Sequence, residues 1–83
     1  MLETKTMTKR EFLRLLESQM DVPDGSLNEN QPLAGLEGWD SMAAVLFIAL
    51  ADEKLGLNIS GNEIAGSKTM GDLLALLGDR LVA

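Results

Sequence analysis

Apolar residues recur at helical spacing along most of this chain, broken by one long stretch with no period at all. Phe12, Leu15, Leu16 and Met20 fall on one face of a first helix, with Arg10, Arg14 and Glu17 turned outward. Thr8-x-x-Glu11 forms a capping box, hydroxyl to a backbone N–H and carboxylate reaching back, so this helix is expected to begin at Thr8. Val22-Pro23-Asp24-Gly25 supplies the turn chemistry that ends it. Asp21 to Asp40 then reads as a long connection. Loops of that length in a small domain usually carry a function or their own packing anchors. Leu27, Leu33, Leu36 and Trp39 are the candidate anchors, and Pro32, Gly35 and Gly38 fix the bends.

A second helix is predicted from Asp40 or Ser41 to Leu55, stopped by Gly56. Between Met42 and Ala51 it is apolar all round, so one buried stripe cannot account for it. Such a helix is either enclosed or keeps an apolar face for a partner. In a chain this small the second is expected, along Met42, Val45, Leu46 and Ala49. Phe47, Ile48, Leu50 and Ala51 would face inward, and Asp52, Glu53 and Lys54 restore polarity at the end. Ile59 to Ala65 reads as a single helical turn with a second capping box, Ser60-x-x-Glu63, and Gly66 as its stop. Thr69 caps a final helix, with Asp72 three residues on and Leu73, Leu74, Leu77 and Leu81 toward the core. No strand is predicted.

Composition narrows the class. Eighty-three residues with 46% apolar content support one domain over 1–83, of which residues 1–7 are expected to be a flexible N-terminus. Abundant Leu and Ala with few β-branched residues favour an all-α fold. The expected architecture is a four-helix, mostly up-and-down bundle with a long first loop and a short third helix. The net charge of −6 disfavours nucleic acid or an anionic membrane as partner. The charge is uneven: residues 1–20 hold four bases against three acids, and the remainder ten acids against three bases. A basic partner surface would be steered toward that larger part. Without an apolar leader at the N-terminus or a run long enough to span a bilayer, a soluble cytoplasmic protein is expected.

The candidate chemistry sits at Gly38-Trp39-Asp40-Ser41, where the long connection turns into the apolar helix. A nucleophilic serine needs a general base, and the chain has no histidine. No lysine or arginine stands at a Ser-x-x-Lys spacing, and the Gly-x-Ser-x-Gly elbow is absent. There is no cysteine for thiolate or metal chemistry. Ser41 could serve as a helix cap and nothing more, since Ser and Asp are both favoured there. A helix start also offers unpaired N–H groups and the positive end of the dipole, which suit a phosphate-linked group. Ser41 is therefore read as a modification site. Gly61-x-x-x-x-Gly66-Ser67-Lys68 is not a P-loop, because its lysine does not follow the second glycine directly.

These residues carry a resemblance that spans nearly the whole chain. Gly38-Trp39-Asp40-Ser41-Met42 resembles the Asp-Ser-Leu motif of acyl carrier proteins. Leu55-Gly56-Leu57-Asn58-Ile59 resembles the segment joining that family's second and third helices, and Thr69-Met70-Gly71-Asp72-Leu73 the start of its fourth. The resemblance implies a non-enzymatic carrier with 4′-phosphopantetheine on Ser41 through a phosphodiester, donated by coenzyme A through a phosphopantetheinyl transferase. It implies that Asp40 assists recognition by the transferase and the phosphate linkage. It places Met42, Val45, Leu46, Asp52 and Glu53 where partner enzymes dock; Ala49, from the apolar face, and Ile64 are counted with them as expected partner contacts, and an acyl chain could shelter near Phe47, Ile59 and Ile64. The imported thiol makes sense of a cysteine-free carrier.

The chain departs from the fatty-acid-synthesis type in its central helix, which is apolar until Asp52 and has Leu46 where an acid is expected. That points to a dedicated partner reading apolar contact more than charge. The expected carrier is a monomer serving fatty acid, lipid or specialised-metabolite biosynthesis. Two other readings stand beside it. A peptidyl or aminoacyl carrier shares arm and fold but more often has Gly-x-Ser than Asp-Ser. A helical interaction module without prosthetic group would use the apolar helix alone.

Overall fold

The computed structural model describes residues 6–36 and 38–82. Thr8 caps the first helix as its sequence requires: Thr8 Oγ1 accepts from the Glu11 N–H at 3.0 Å and Glu11 Oε1 from the Thr8 N–H at 2.9 Å. The helix, α1, runs Lys9–Met20 and ends on Asp21 in the left-handed conformation, φ 59°. Its buried face holds Phe12 and Leu16. Phe12 meets Phe47 of the next helix, α2 (Ser41–Leu55), edge to face at a centroid separation of 5.5 Å. This contact joins the two longest elements at the centre of the core. Gly56 closes α2, and Arg80 Nη1 donates to the Leu55 carbonyl at 2.8 Å, satisfying an acceptor that the helix end leaves open.

Helix α3 (Gly61–Ala65) is one turn with the expected Ser60–Glu63 box. Gly66 stays right-handed, φ −81°, so it is not a left-handed stop. Helix α4 (Met70–Ala75) is shorter than its leucine spacing suggests. It ends at Ala75, capped at Leu76, and a 3₁₀ turn over Gly78–Arg80 follows, with Gly78 at φ 56°. Leu77 and Leu81 nonetheless reach the core, as expected. The expectation of no strand is corrected at the two ends. β1 (Met7–Thr8) pairs in parallel with β2 (Leu81–Val82), Met7 opposite Leu81 and Thr8 opposite Val82. Two-residue strands carry no alternation to read. Met7, expected within a flexible terminus, is held by this pairing; residues 1–5 lie outside the described residues. The protein is thus mostly helical, with four α-helices among the described residues.

The long connection is anchored much as its leucines imply. Leu27 and Leu33 are buried, and Leu36 and Trp39 pack partly buried against the core. Two further ties were not legible. Glu17, expected to face solvent, is only 1% exposed, and its Oε2 accepts from the Leu27 N–H at 2.9 Å. A carboxyl there is buried because it satisfies a loop amide ten residues on, while its Oε1 has no partner among the described residues. The second tie is to α4. Leu33 donates to Lys68 O at 2.8 Å, Met70 to Gln31 O at 2.9 Å and Gly71 to Glu29 O at 2.8 Å. The loop so takes up the first two amides of α4, while Thr69 Oγ1 takes that of Asp72. A β-carbon on Gly71 would lie 2.9 Å from Glu29 O, so this close approach requires glycine.

Candidate functional site

The loop enters α2 through Gly38, at φ 86°, a conformation costly for any residue with a side chain. Trp39 follows, half-buried, its N–H bonded to Leu36 O at 3.1 Å. Asp40 is then extended, φ −144°, and occupies the N-cap of α2: its Oδ1 accepts from the Ala43 N–H at 3.0 Å. Capping therefore belongs to Asp40. Ser41 is the first helical residue, exposed, and among the described residues none hydrogen-bonds its hydroxyl. The amides of Ser41 and Met42 lie in the turn where no helix carbonyl can reach them, and no described side chain takes their place. At α4 the loop fills the corresponding positions; at α2 no described residue does.

Beside Ser41 lies an open depression of about 420 Å³. Leu33, Ala34 and Trp39 border it from the loop, Ala44 from α2, and Gly61, Ile64 and Ala65 from α3. Among the described residues its lining holds no lysine, arginine or histidine. Among the described residues no three His, Cys, Asp or Glu side chains cluster to hold a metal.

The other candidate residues divide. Met42 and Val45 are 65% and 57% exposed, and Ala49 continues their line one turn on. Asp52 and Glu53 are exposed at its end. Leu46 is half-buried and packs against the core, so it contributes an edge to the strip and not its centre. Ile64 is corrected: it is 6% exposed and sits in the core, because α3 has one large apolar side chain and needs it to hold the turn down. Phe47, Leu50 and Ala51 are buried as expected, and Ile48 partly so. Phe47 and Ile59 are core residues, and the depression touches Ile64 but neither of these.

Charge placement adds one resolved effect. The backbone N–H groups of Lys68 and Thr69 donate to Asp72 Oδ2 at 2.9 and 3.2 Å and hold its carboxyl below the ordinary value of 3.8. This acts at α4, away from Ser41.

Residues 10–77 match the family described as phosphopantetheine attachment site. The chain belongs to this family. No curated protein and no solved structure matches. Members of the phosphopantetheine-attachment family are carriers and not catalysts; they take their prosthetic group from a phosphopantetheinyl transferase and work with further partner enzymes. The match decides against an interaction module without prosthetic group. The geometry at the start of α2 fits the group on three counts: an exposed hydroxyl, two helix amides without a partner among the described residues, and an open depression beside them. The donors at this helix start suited to a phosphate are the amides of Ser41 and Met42, while the Asp40 carboxylate accepts from Ala43 N–H. Among the described residues no helix is long and apolar enough to cross a membrane.

Proposed function

We propose that this chain is an acyl carrier protein with the acyl-carrier bundle arrangement, bearing 4′-phosphopantetheine on Ser41 and presenting thioester-bound acyl intermediates to cytoplasmic enzymes of fatty acid, lipid or specialised-metabolite biosynthesis. The observation that carries the Ser41 assignment is the division of labour at the start of α2. Asp40 takes the cap, which leaves the Ser41 hydroxyl exposed and without a partner among the described residues. The prosthetic group supplies the thiol for thioester chemistry that a chain without cysteine lacks. Asp40 fixes the first turn and so the direction of the Ser41 side chain. The helix start favours the negative phosphodiester by about 0.3–1 kcal/mol at an exposed position.

Partner enzymes are proposed to meet the line through Met42, Val45 and Ala49, with Leu46 at its edge and Asp52 and Glu53 at its end. Large exposed apolar side chains next to the attachment residue support apolar contact as the main term, with the acids as rim. Asp40 before the serine favours acyl over aminoacyl cargo. The test has two parts. Purified chain incubated with labelled coenzyme A and a broad-specificity phosphopantetheinyl transferase should take up label, and Ser41→Ala should not. Cargo released by hydroxylamine from protein isolated from its own cells should then be a hydroxamate of a carboxylic acid without an α-amino group. An aminoacyl hydroxamate would replace the acyl reading with the peptidyl one.

A further inference from the structure

We propose that Met42 is a reversible oxidation site, at which a hydroperoxide converts the thioether to the sulfoxide and thereby slows attachment of the prosthetic group at the neighbouring serine. The inference rests on Ser41 being the attachment residue. Its basis is the uneven placement of the methionines. Met42 is 65% exposed on the first turn of α2, whereas Met7 and Met20 are half-buried and Met70 is wholly buried in the core. Susceptibility of a thioether follows its access to the oxidant. There is no cysteine in the chain to intercept a peroxide first.

The consequence follows from what surrounds that sulfur. Met42 and Val45, one helical turn apart, are the two large exposed apolar side chains of α2, and Met42 directly follows Ser41. In the reaction a sulfur lone pair attacks one peroxide oxygen, the S–O bond forms and the O–O bond breaks. The departing hydroxide takes the proton left on the sulfur-bound oxygen and becomes water. Sulfur loses two electrons and the peroxide gains them. The product is a polar, chiral side chain at the Ser41 end of the apolar strip. Since Met42 is outside the buried core, the change alters the contact face and leaves the fold intact. A methionine sulfoxide reductase with thiol reductant reverses it, returning thioether and water with the thiols oxidised to disulfide.

The test uses the full chain before attachment of its group, treated with hydrogen peroxide that is removed before any transferase is added. Peptide mapping should find one added oxygen on Met42 at doses that leave Met70 unmodified, with the thermal midpoint unchanged. The rate of transfer from coenzyme A should fall several-fold and recover after reductase treatment. Met42→Leu, scored as treated against untreated rate within that variant, should hold its own untreated rate. Oxidation of Met7 or Met20 ahead of Met42 would overturn the proposal, as would undiminished transfer to fully oxidised wild type or an equal loss in Met42→Leu. Absence of transfer to the untreated wild type would instead remove the Ser41 assignment, and the oxidation proposal with it.

Discussion

At the scale of single residues, the Asp40–Ser41 pair divides structure from chemistry. Asp40→Ala leaves the Ala43 N–H without its cap and should cost about 0.5–2 kcal/mol in urea unfolding. Ser41→Ala removes a hydroxyl that bonds nothing described and should stay within about 0.5 kcal/mol of wild type in the same assay. A larger loss for Ser41→Ala than for Asp40→Ala would mean that the serine is the structural residue. Glu17 makes a second contrast. Glu17→Ala strands the Leu27 N–H and should cost about 1–3 kcal/mol, whereas Glu17→Gln keeps an acceptor in place and should cost less. The sequence made the motif readable because Asp, Ser and Gly38 stand next to one another. It could not reveal Glu17, whose partner is ten residues away in a stretch without period.

At the scale of elements, helix starts were legible and helix ends less so. Each predicted cap at Thr8, Ser60 and Thr69 is made, because a capping box is complete within four residues. Gly56 stops α2 where expected, while the last helix ends at Ala75 and is followed by a 3₁₀ turn and a strand whose partner lies near the other end of the chain. The loop's leucine anchors were readable, but its antiparallel run along the start of α4 was not, since that depends on hydrogen bonds between distant backbones. Gly71→Ala probes this run: the added methyl meets Glu29 O and should destabilise by about 1–3 kcal/mol, with faster amide exchange at Met70. Asp72 gives a pH prediction at the same element. Its carboxyl is held below the ordinary value, so the folded state binds fewer protons and stability rises with pH between the two values. The contribution is complete above the ordinary carboxyl value and is lost as pH falls through the folded one. Asp72→Asn should therefore flatten the acid limb of stability against pH; an unchanged limb would contradict the assignment.

At the scale of the molecule, a core joined by Phe12 and Phe47 leaves most of α2's apolar surplus on one outer line beside Ser41. That arrangement makes sense of a helix apolar on every side: Phe47, Leu50 and Ala51 hold the fold, and Met42, Val45 and Ala49 remain exposed. The predicted four helices are present, yet the partner line needed the structure to separate Leu46 and Ile64 from the exposed residues. The central claim is that the Ser41 oxygen bears the prosthetic group. Tandem mass spectrometry of the peptide spanning Trp39 to Lys54, after reaction with coenzyme A and transferase, tests it most directly. One phosphopantetheinyl group is expected on this peptide, with fragment ions placing it on Ser41. An unmodified peptide, or fragments that place the group on any other residue, would contradict it.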